Sequence, residues 1–399
     1  MRSLAAHLLA ASALGLSAPA LLANTIPTQS APQEAGNSDE NAEGGQFAAQ
    51  FQAAGQMPGA RERFAIFTPT TDPIRHRIDY EIWDYALKNM VISMGPSTRT
   101  RPAPWVQPNG TRIRQGHNSR YRLEGSMVSF ATFSQETIAS FAEYRRDLES
   151  VSETLDIASL PRNEQLAYWF NLHNVAMMEV ISREWPVRQP RDIEIDGEPL
   201  DEARFLTVRG VPMSLRDIRE NIVFANWRNP KVIYGFWRGE IGGPALEREA
   251  FTGANVSSLL DIAADSFINS LRGTQKLGSR LEVSRLYEET AQFYFPDFET
   301  DVRAHLATYA NEDVTEILAE TDLIRASITE YDIADLSGGA RGAIYLESSR
   351  AGLNPGALTL LVQRQRKLDV LERENVPTGR VIFSEIELPG STPNQNAVE

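Results

Sequence analysis

The stretch LPRNEQLAYWFNLHNVAMMEVISREWP, residues 160–186, constrains the fold more than any other part of the chain. Between Pro161 and Pro186 it holds no glycine or proline, so nothing interrupts a helix. Asn163 is a candidate cap at its start. Leu166, Trp169 or Phe170, His173, Met177 and Val180 or Ile181 recur at helical spacing and predict one apolar face. Pro186 bars continuation.

Elsewhere the signals are mixed. IDYEIWDYALKNMV, 78–91, predicts an amphipathic helix with Ile78, Ile82, Tyr85 and Met90 on one face. SQETIASFAEYRRDLESVSE, 134–153, predicts another, capped by Ser134. FLTVRGVPMSLRDIRENIVFA, 205–225, reads as a strand, a Gly-Val-Pro turn and a helix capped by Ser214. NPKVIYGFW, 229–237, reads as a buried strand, and YRLEGSMVSF, 121–130, as a strand with a turn at Glu124-Gly125. Residues 256–271 predict a helix, and 279–294 a strand, a turn and a helix. Residues 97–119 form a Pro- and Gly-punctuated loop, and no repeat of fixed period is visible. Without the alternation of a doubly wound sheet, the class is α+β, a mixed helix and antiparallel-sheet domain.

The chain begins MRSLAAHLLAASALGLSAPALLANT. Arg2, the apolar run Leu4–Leu16 and Ala18-Pro19-Ala20 are the three parts of a secretory signal peptide, and the run is shorter than the ~20 residues of a spanning helix. The expected boundaries are a signal peptide over 1–20, a linker over 21–66, a main domain over 67–345, and a C-terminal extension over 346–399. The linker is rich in Gln, Ala, Gly, Ser and Glu, too poor in large apolar groups to offset ordering entropy, so order is expected to begin near Thr68. The extension carries a helix from Pro355 to Arg373, a strand over 379–388 and a polar tail. That helix either meets a partner or, as preferred, packs back on the domain. The expectation is an exported protein, periplasmic in a cell with two membranes and secreted otherwise, with no transmembrane segment in the mature chain.

Composition then excludes chemistry. The chain has no cysteine, which removes disulfides, thiol nucleophiles and thiolate metal ligands. A net charge of −14 with no basic cluster argues against nucleic acid. The five histidines, His7, His76, His117, His173 and His305, have no metal-site spacing, and no calcium loop is present. The glycines of GGPALE and SGGARG lack a Walker lysine, and no G-x-S-x-G is found, so Ser126 reads as a turn serine. No cofactor or metal is expected.

Three segments carry a resemblance: NEQLAYWFNLHNVAMMEVISREWPVRQPRDI, LTVRGVPMSLRDIRENIVFANWRNPKVIYGFW and EIGGPALEREAFTGANVSSLLDIAADSFINS. Together they resemble the uncharacterised family numbered 547 among the domains of unknown function. Its helix reads Glu-Gln-Leu-Ala-Phe-Trp-x-Asn-x-Tyr-Asn, followed by Ser-Leu-x-x-Ile-Glu. Then come Asp-Pro-Arg-Ile-His-Phe-Ala-Leu, a cysteine, and Ser- or Gly-Cys-Pro. ITEYDIADLSGG is similar to the family's closing Tyr-Asp-Trp-Ser-Leu, so the resemblance covers roughly 121–337. It implies a fold like that of the papain and transglutaminase group. A cysteine before a helix with a histidine on an adjacent segment would suit thiol chemistry. This chain departs at each such place: Ile233 stands at the histidine position, Arg238 at the first cysteine and Gly243 at the second. Asn229-Pro230, Gly239, Pro244 and Leu246 are kept.

The candidate site residues follow from that comparison. Arg238 is either an anion or carboxylate anchor, its guanidinium suited to bidentate contact, or a structural ion pair with Glu240 or an acidic helix, or a strand-end arginine reaching water. His173 reads best as a satisfied core histidine. Asn171 and Asn174 either line a polar cleft or bond backbone of a neighbouring segment. The expected function is a non-catalytic binding or interaction module for a small-molecule, protein or peptide ligand. Arg238, Trp237, His173, Asn171 and Asn174 would line its cleft. The alternative is a hydrolase using serine or activated water in the same place.

Overall fold

The computed structural model describes residues 60–71, 73–103, 116–341 and 355–376. The signal peptide, most of the linker and the strand expected over 379–388 lie outside the described residues. The helix over residues 160–186 is the axis of the fold. Helix α4, Arg162–Glu184, follows α1 (Ala60–Phe64), α2 (Glu81–Met90) and α3 (Gln135–Thr154). Every residue from Asn163 to Ser182 is buried, so α4 crosses the core rather than lying on it with one apolar face. Its cap is Pro161, not Asn163, which sits inside the first turn. The chain leaves α4 through extended Trp185, as Pro186 requires.

Helix α3 packs beside α4 and starts where expected, with Ser134 Oγ accepting the Thr137 amide at 3.2 Å. Tyr168 donates from α4 to the Leu148 carbonyl at 3.0 Å, and Arg145 bridges Glu179 and Glu149. Helix α2 buries Trp83, Ala86, Leu87 and Met90. Its core stripe is therefore rotated from the expected one, with Ile82 and Tyr85 only partly buried. The residues before Thr68 also belong to the core: Phe64 and Phe67 are buried, and Phe67 meets the edge of Trp169 with ring centres 5.1 Å apart. These rings supply the apolar area that the rest of the linker sequence lacks.

Strands are short. β1 (Val91–Ser93) pairs antiparallel with β2 (Ser126–Val128), β3 (Glu194–Ile195) with β4 (Glu198–Pro199), and β5 (Leu206–Val208) with β6 (Val211–Met213). The β5–β6 turn is Arg209-Gly210, both at positive φ, and Val211 and Pro212 belong to the second strand rather than to the turn. β7 (Thr274–Leu277) and β8 (Arg280–Ser284) are antiparallel, but β8 and β9 (Leu323–Ile328) run parallel. The expectation of antiparallel sheet thus holds for four ladders and fails for the fifth. The class is α+β.

A larger correction concerns residues 229–237. Pro230–Gly235 is a 3₁₀ helix, not a strand, with Asn229 capping it by accepting the Lys231 amide at 3.1 Å. A short apolar run has no periodicity that separates strand from buried helix, and Asn-Pro, which favours a helix start, decides it. Helices α5 (Phe224–Asn226), α6 (Val256–Ile268), α7 (Arg285–Glu289), α8 (Ala291–Tyr294), α9 (Phe298–Tyr309) and α10 (Glu312–Ala319) complete the main body. Helix α11, Pro355–Arg373, packs back on the domain. Ala357 and Leu360 join a second core with Met94, Tyr121 and Met127, and Lys367 donates to the Leu123 carbonyl at 2.6 Å. No described helix is long and apolar enough to cross a membrane.

Candidate functional site

Three side chains, Gln165, Asn171 and Asn174, explain how the α4 motif shapes its surroundings. Gln165 donates to the carbonyls of Ala158 and Leu160 at 3.1 and 2.7 Å, fixing the entry to the helix. Asn171 donates to the Phe251 carbonyl at 2.7 Å and accepts the Phe251 amide at 3.2 Å. Asn174 donates to the Gly235 carbonyl and accepts the Trp237 amide, both at 3.0 Å. These side chains satisfy backbone groups of irregular segments that have no ladder to pair with. Asn171 and Asn174 therefore clamp backbone and are sealed in, at 1% and 3% exposure.

The segment after the clamp is held from the other side. Gly239 has φ +75, and a Cβ there would lie 2.3 Å from Ile181 Cδ1, so glycine is required. The Ala334 amide donates to the Gly239 carbonyl at 2.7 Å, and the Ile241 amide to the Asp332 carbonyl at 2.9 Å. Asp335 anchors that closing segment by accepting the amides of Phe130, Ser337 and Gly339 and the Trp185 indole. Burial pushes its carboxyl up to about 6 despite those donors.

Beside the clamped segment, where Ile233, Phe236 and Arg238 line it, lies a cavity of about 50 Å³. Phe224, Ile233, Phe236 and Leu286 give it an apolar wall. Arg216, Arg219 and Arg238 face Asp201, Glu220 and Glu289 across the rest, and exposed Gln292 brings it to the surface. Arg216, Arg219 and Glu220, spaced i, i+3 and i+4, share one face of a helix that is π-helical over Asp217–Val223. Ser214 caps that helix as expected: Ser214 Oγ accepts the Asp217 amide and Asp217 accepts the Ser214 amide, each at 3.0 Å.

The charges pair tightly. Arg219 Nη2 donates to Asp201 at 2.6 Å and its Nη1 to His173 Nε2 at 3.1 Å. An arginine only donates, so Nε2 is the acceptor, Nδ1 carries the proton, and Nδ1 donates to Asn174 Oδ1 at 3.1 Å. This assignment rests on the hydrogen-bond network. Burial and then the Arg219 charge hold His173 down to about 3, so it is a neutral bridge between cavity and clamp. Burial alone would raise the Asp201 carboxyl; Arg219, with Arg238 and Arg216, outweighs it and holds the group below the usual carboxylate range. Arg238 Nη1 donates to Glu289 at 2.6 Å, and the Glu289 charge keeps the guanidinium more firmly protonated than usual. Beside them Glu240 is buried, which pushes it up to about 7 against the pull of Arg238.

Of the five residues expected to line a cleft, Arg238 does so. Trp237 and His173 are closed off in the core with both asparagines, at 1% and 0% exposure, so the expected convergence on one open cleft does not occur. His173 and the asparagines are turned inward because α4 is buried all round, and the Trp237 amide is bound to Asn174. Ile233 lines the cavity as well, so two of the three positions where the resemblance puts reactive groups meet there. Gly243 is not in its lining, and a Cβ added to it would meet only the Glu240 carbonyl at 3.7 Å. The sequence does not single out Arg216, Arg219 and Glu220, because an SLRDIREN helix looks like a solvated face, nor Asp201 and Glu289, which come from separate segments. Their only signal was Arg219, which falls where the resemblance carries the glutamate of Ser-Leu-x-x-Ile-Glu. Among the described residues no three His, Asp or Glu side chains are grouped as metal ligands.

The span that builds most of this site is also the span with a known counterpart. Residues 157–268 match the family described as Protein of unknown function, DUF547. The chain resembles that family. The matched span lies inside the expected 121–337 and takes in α4, both clamps and the cavity residues Asp201 to Arg238. Leu286, Glu289, Thr290 and Gln292, which close the cavity, come from beyond it. No curated protein and no solved structure matches the chain.

Proposed function

We propose that this chain is an exported, non-catalytic binding module whose ligand site is the cavity at Arg238, on a scaffold of the papain and transglutaminase kind. One observation carries the reading. The cavity stands where the resemblance puts histidine and cysteine, and Ile233 and Arg238 line it instead. Its neighbouring imidazole, His173, has both ring nitrogens engaged and is held neutral. A general base needs an open nitrogen within reach of the proton it takes. The hydroxyl in the wall, Thr290 Oγ1, donates to the Leu286 carbonyl at 2.7 Å, which leaves it a poor nucleophile. The scaffold itself is an expectation of the family resemblance.

The test pairs turnover with binding. Purified protein is assayed against a chromogenic ester and amide panel and, separately, by thermal shift against small polar compounds. The expected result is no turnover, with stabilisation by a compound class that a folded Arg238 variant loses. Ester or amide hydrolysis that a folded Thr290→Val variant abolishes would instead establish the hydrolase alternative. Export is tested by fractionation and N-terminal sequencing: the reading expects a mature start near residue 21 outside the cytoplasm, and an intact Met1 inside it contradicts export.

A further inference from the structure

We infer that the cavity takes the carboxylate of a small monoanionic ligand, seated on the Nε–Nη2 edge of Arg238. This rests on the binding reading above and names the chemistry of its ligand. The three arginines are not equivalent. Arg219 spends both terminal nitrogens on His173 and Asp201. Arg216 is engaged by Asp201, Glu202 and Glu220. Arg238 gives Nη1 to Glu289, and its Nε and Nη2 donate to no protein atom among the described residues. That pair of N–H groups is the edge that grips a carboxylate with two parallel hydrogen bonds. The side chain is 21% exposed and lines the cavity, so a ligand seated there lies within reach of the guanidinium.

Charge and size narrow the ligand. Three lining arginines face three lining carboxylates, with Glu240 beside them, so the site carries no net positive charge. A dianion such as phosphate would meet Asp201, Glu220 and Glu289 without a net cationic field to offset them. A monoanion needs one guanidinium edge. The cavity, about 50 Å³, has room for roughly three to five water-sized groups at ~10–15 Å³ each. That suits a carboxylate with one or two carbons behind it, and Ile233 and Leu286 offer those carbons an apolar wall. A longer chain would leave past Gln292. The same chemistry is therefore met by a free short-chain acid or by the terminal carboxylate of a peptide.

Calorimetric titration of the full protein separates these cases, using acetate, propionate and butyrate, and an acetylated dipeptide with free or amidated C-terminus. Propionate is expected to bind in the low-millimolar range, at least tenfold tighter than its uncharged isostere propionamide. Arg238→Lys keeps the charge but loses the planar edge and should weaken propionate at least tenfold. Glu289→Gln removes a neighbouring negative charge and should tighten it several-fold, which decides the matter if the Arg238 variant does not fold. Peptide binding that is lost on amidation assigns the carboxylate to a chain terminus, and binding of propionate alone assigns it to a free acid. Equal binding of propionate and propionamide, or an unchanged affinity in both variants, overturns the inference. If no carboxylate binds while another compound saturates the cavity, the inference fails and the binding reading stands. Hydrolysis of a bound compound removes the binding reading itself.

Discussion

Asn174 is the residue whose loss should most disturb the ground beneath the cavity. Its side chain satisfies the Gly235 carbonyl, the Trp237 amide and His173 Nδ1, at 3.0, 3.0 and 3.1 Å, in a site 3% exposed. An orphaned buried donor or acceptor costs about 1–3 kcal/mol, so with three orphaned, Asn174→Ala should cost roughly 3–9 kcal/mol. That is a large share of the ~5–15 kcal/mol that holds a typical domain folded. Asn174→Asp has the same shape but a different logic. One oxygen still accepts the Trp237 amide, while the other faces the Gly235 carbonyl and repels it unless protonated. The fold then selects the neutral acid, so its pKa rises above the ordinary ~3.9. With a raised folded value, the Asp variant is nearest to wild type below that ordinary pKa and falls behind as pH rises through the folded one. Urea unfolding followed by tryptophan fluorescence, from pH 4 to 8 and as a difference from wild type, reads both effects. An alanine cost below about 1 kcal/mol, or an aspartate variant that gains on wild type as pH rises, would show that the clamp is not what holds this segment.

Three further outcomes follow from buried groups. His173, held down to about 3, stays neutral while its unfolded counterpart protonates, so stability should fall from about pH 6.5 downward by ~1.4 kcal/mol per pH unit. His305, pushed down to about 4 by burial, acts in the same sense, and proton uptake on unfolding near pH 5.5, measured by calorimetry in two buffers, should include both. Glu240 acts oppositely: raised to about 7, it contributes least penalty below its unfolded pKa and destabilises as pH rises through 7. Glu240→Gln should thus raise the Tm at pH 8, by roughly 3 kcal/mol of stability, and leave it nearly unchanged at pH 4. A Cβ at Gly235 would lie 2.5 Å from the Phe170 ring, so Gly235→Ala should cost about 1–3 kcal/mol, whereas Gly243→Ala should stay within ~0.5 kcal/mol in the same urea assay.

How much of this was legible in the sequence depends on whether a signal is local. The caps at Ser134 and Ser214 and the stop before Pro186 are chemistry between near neighbours, and they were read directly. The helix over residues 160–186 was read as a helix but not as a buried one. Its polar residues, Gln165, Asn171 and Asn174, bond backbone of segments far along the chain. A one-face pattern cannot anticipate that. The same gap explains the 3₁₀ turn over Pro230–Gly235, since a six-residue apolar run fits several buried conformations. At the site, Arg238 was picked out because it interrupts an apolar run. An acidic helix is one of the ion-pair partners the sequence offers for Arg238, and α7 supplies it through Glu289, but no spacing near Arg238 announces which helix. Asp201, Arg216 and Arg219 looked like ordinary surface charge until the fold turned them toward one cavity.

The account turns on whether the open edge of Arg238 receives a ligand, and a crystal structure of the protein grown with propionate tests this directly. The account predicts propionate in the cavity, its two oxygens on Nε and Nη2 of Arg238 and its methyl toward Ile233 and Leu286. An empty edge covered by Glu289, with propionate absent from the cavity at saturating concentration, would contradict it and leave Arg238 as a structural ion pair.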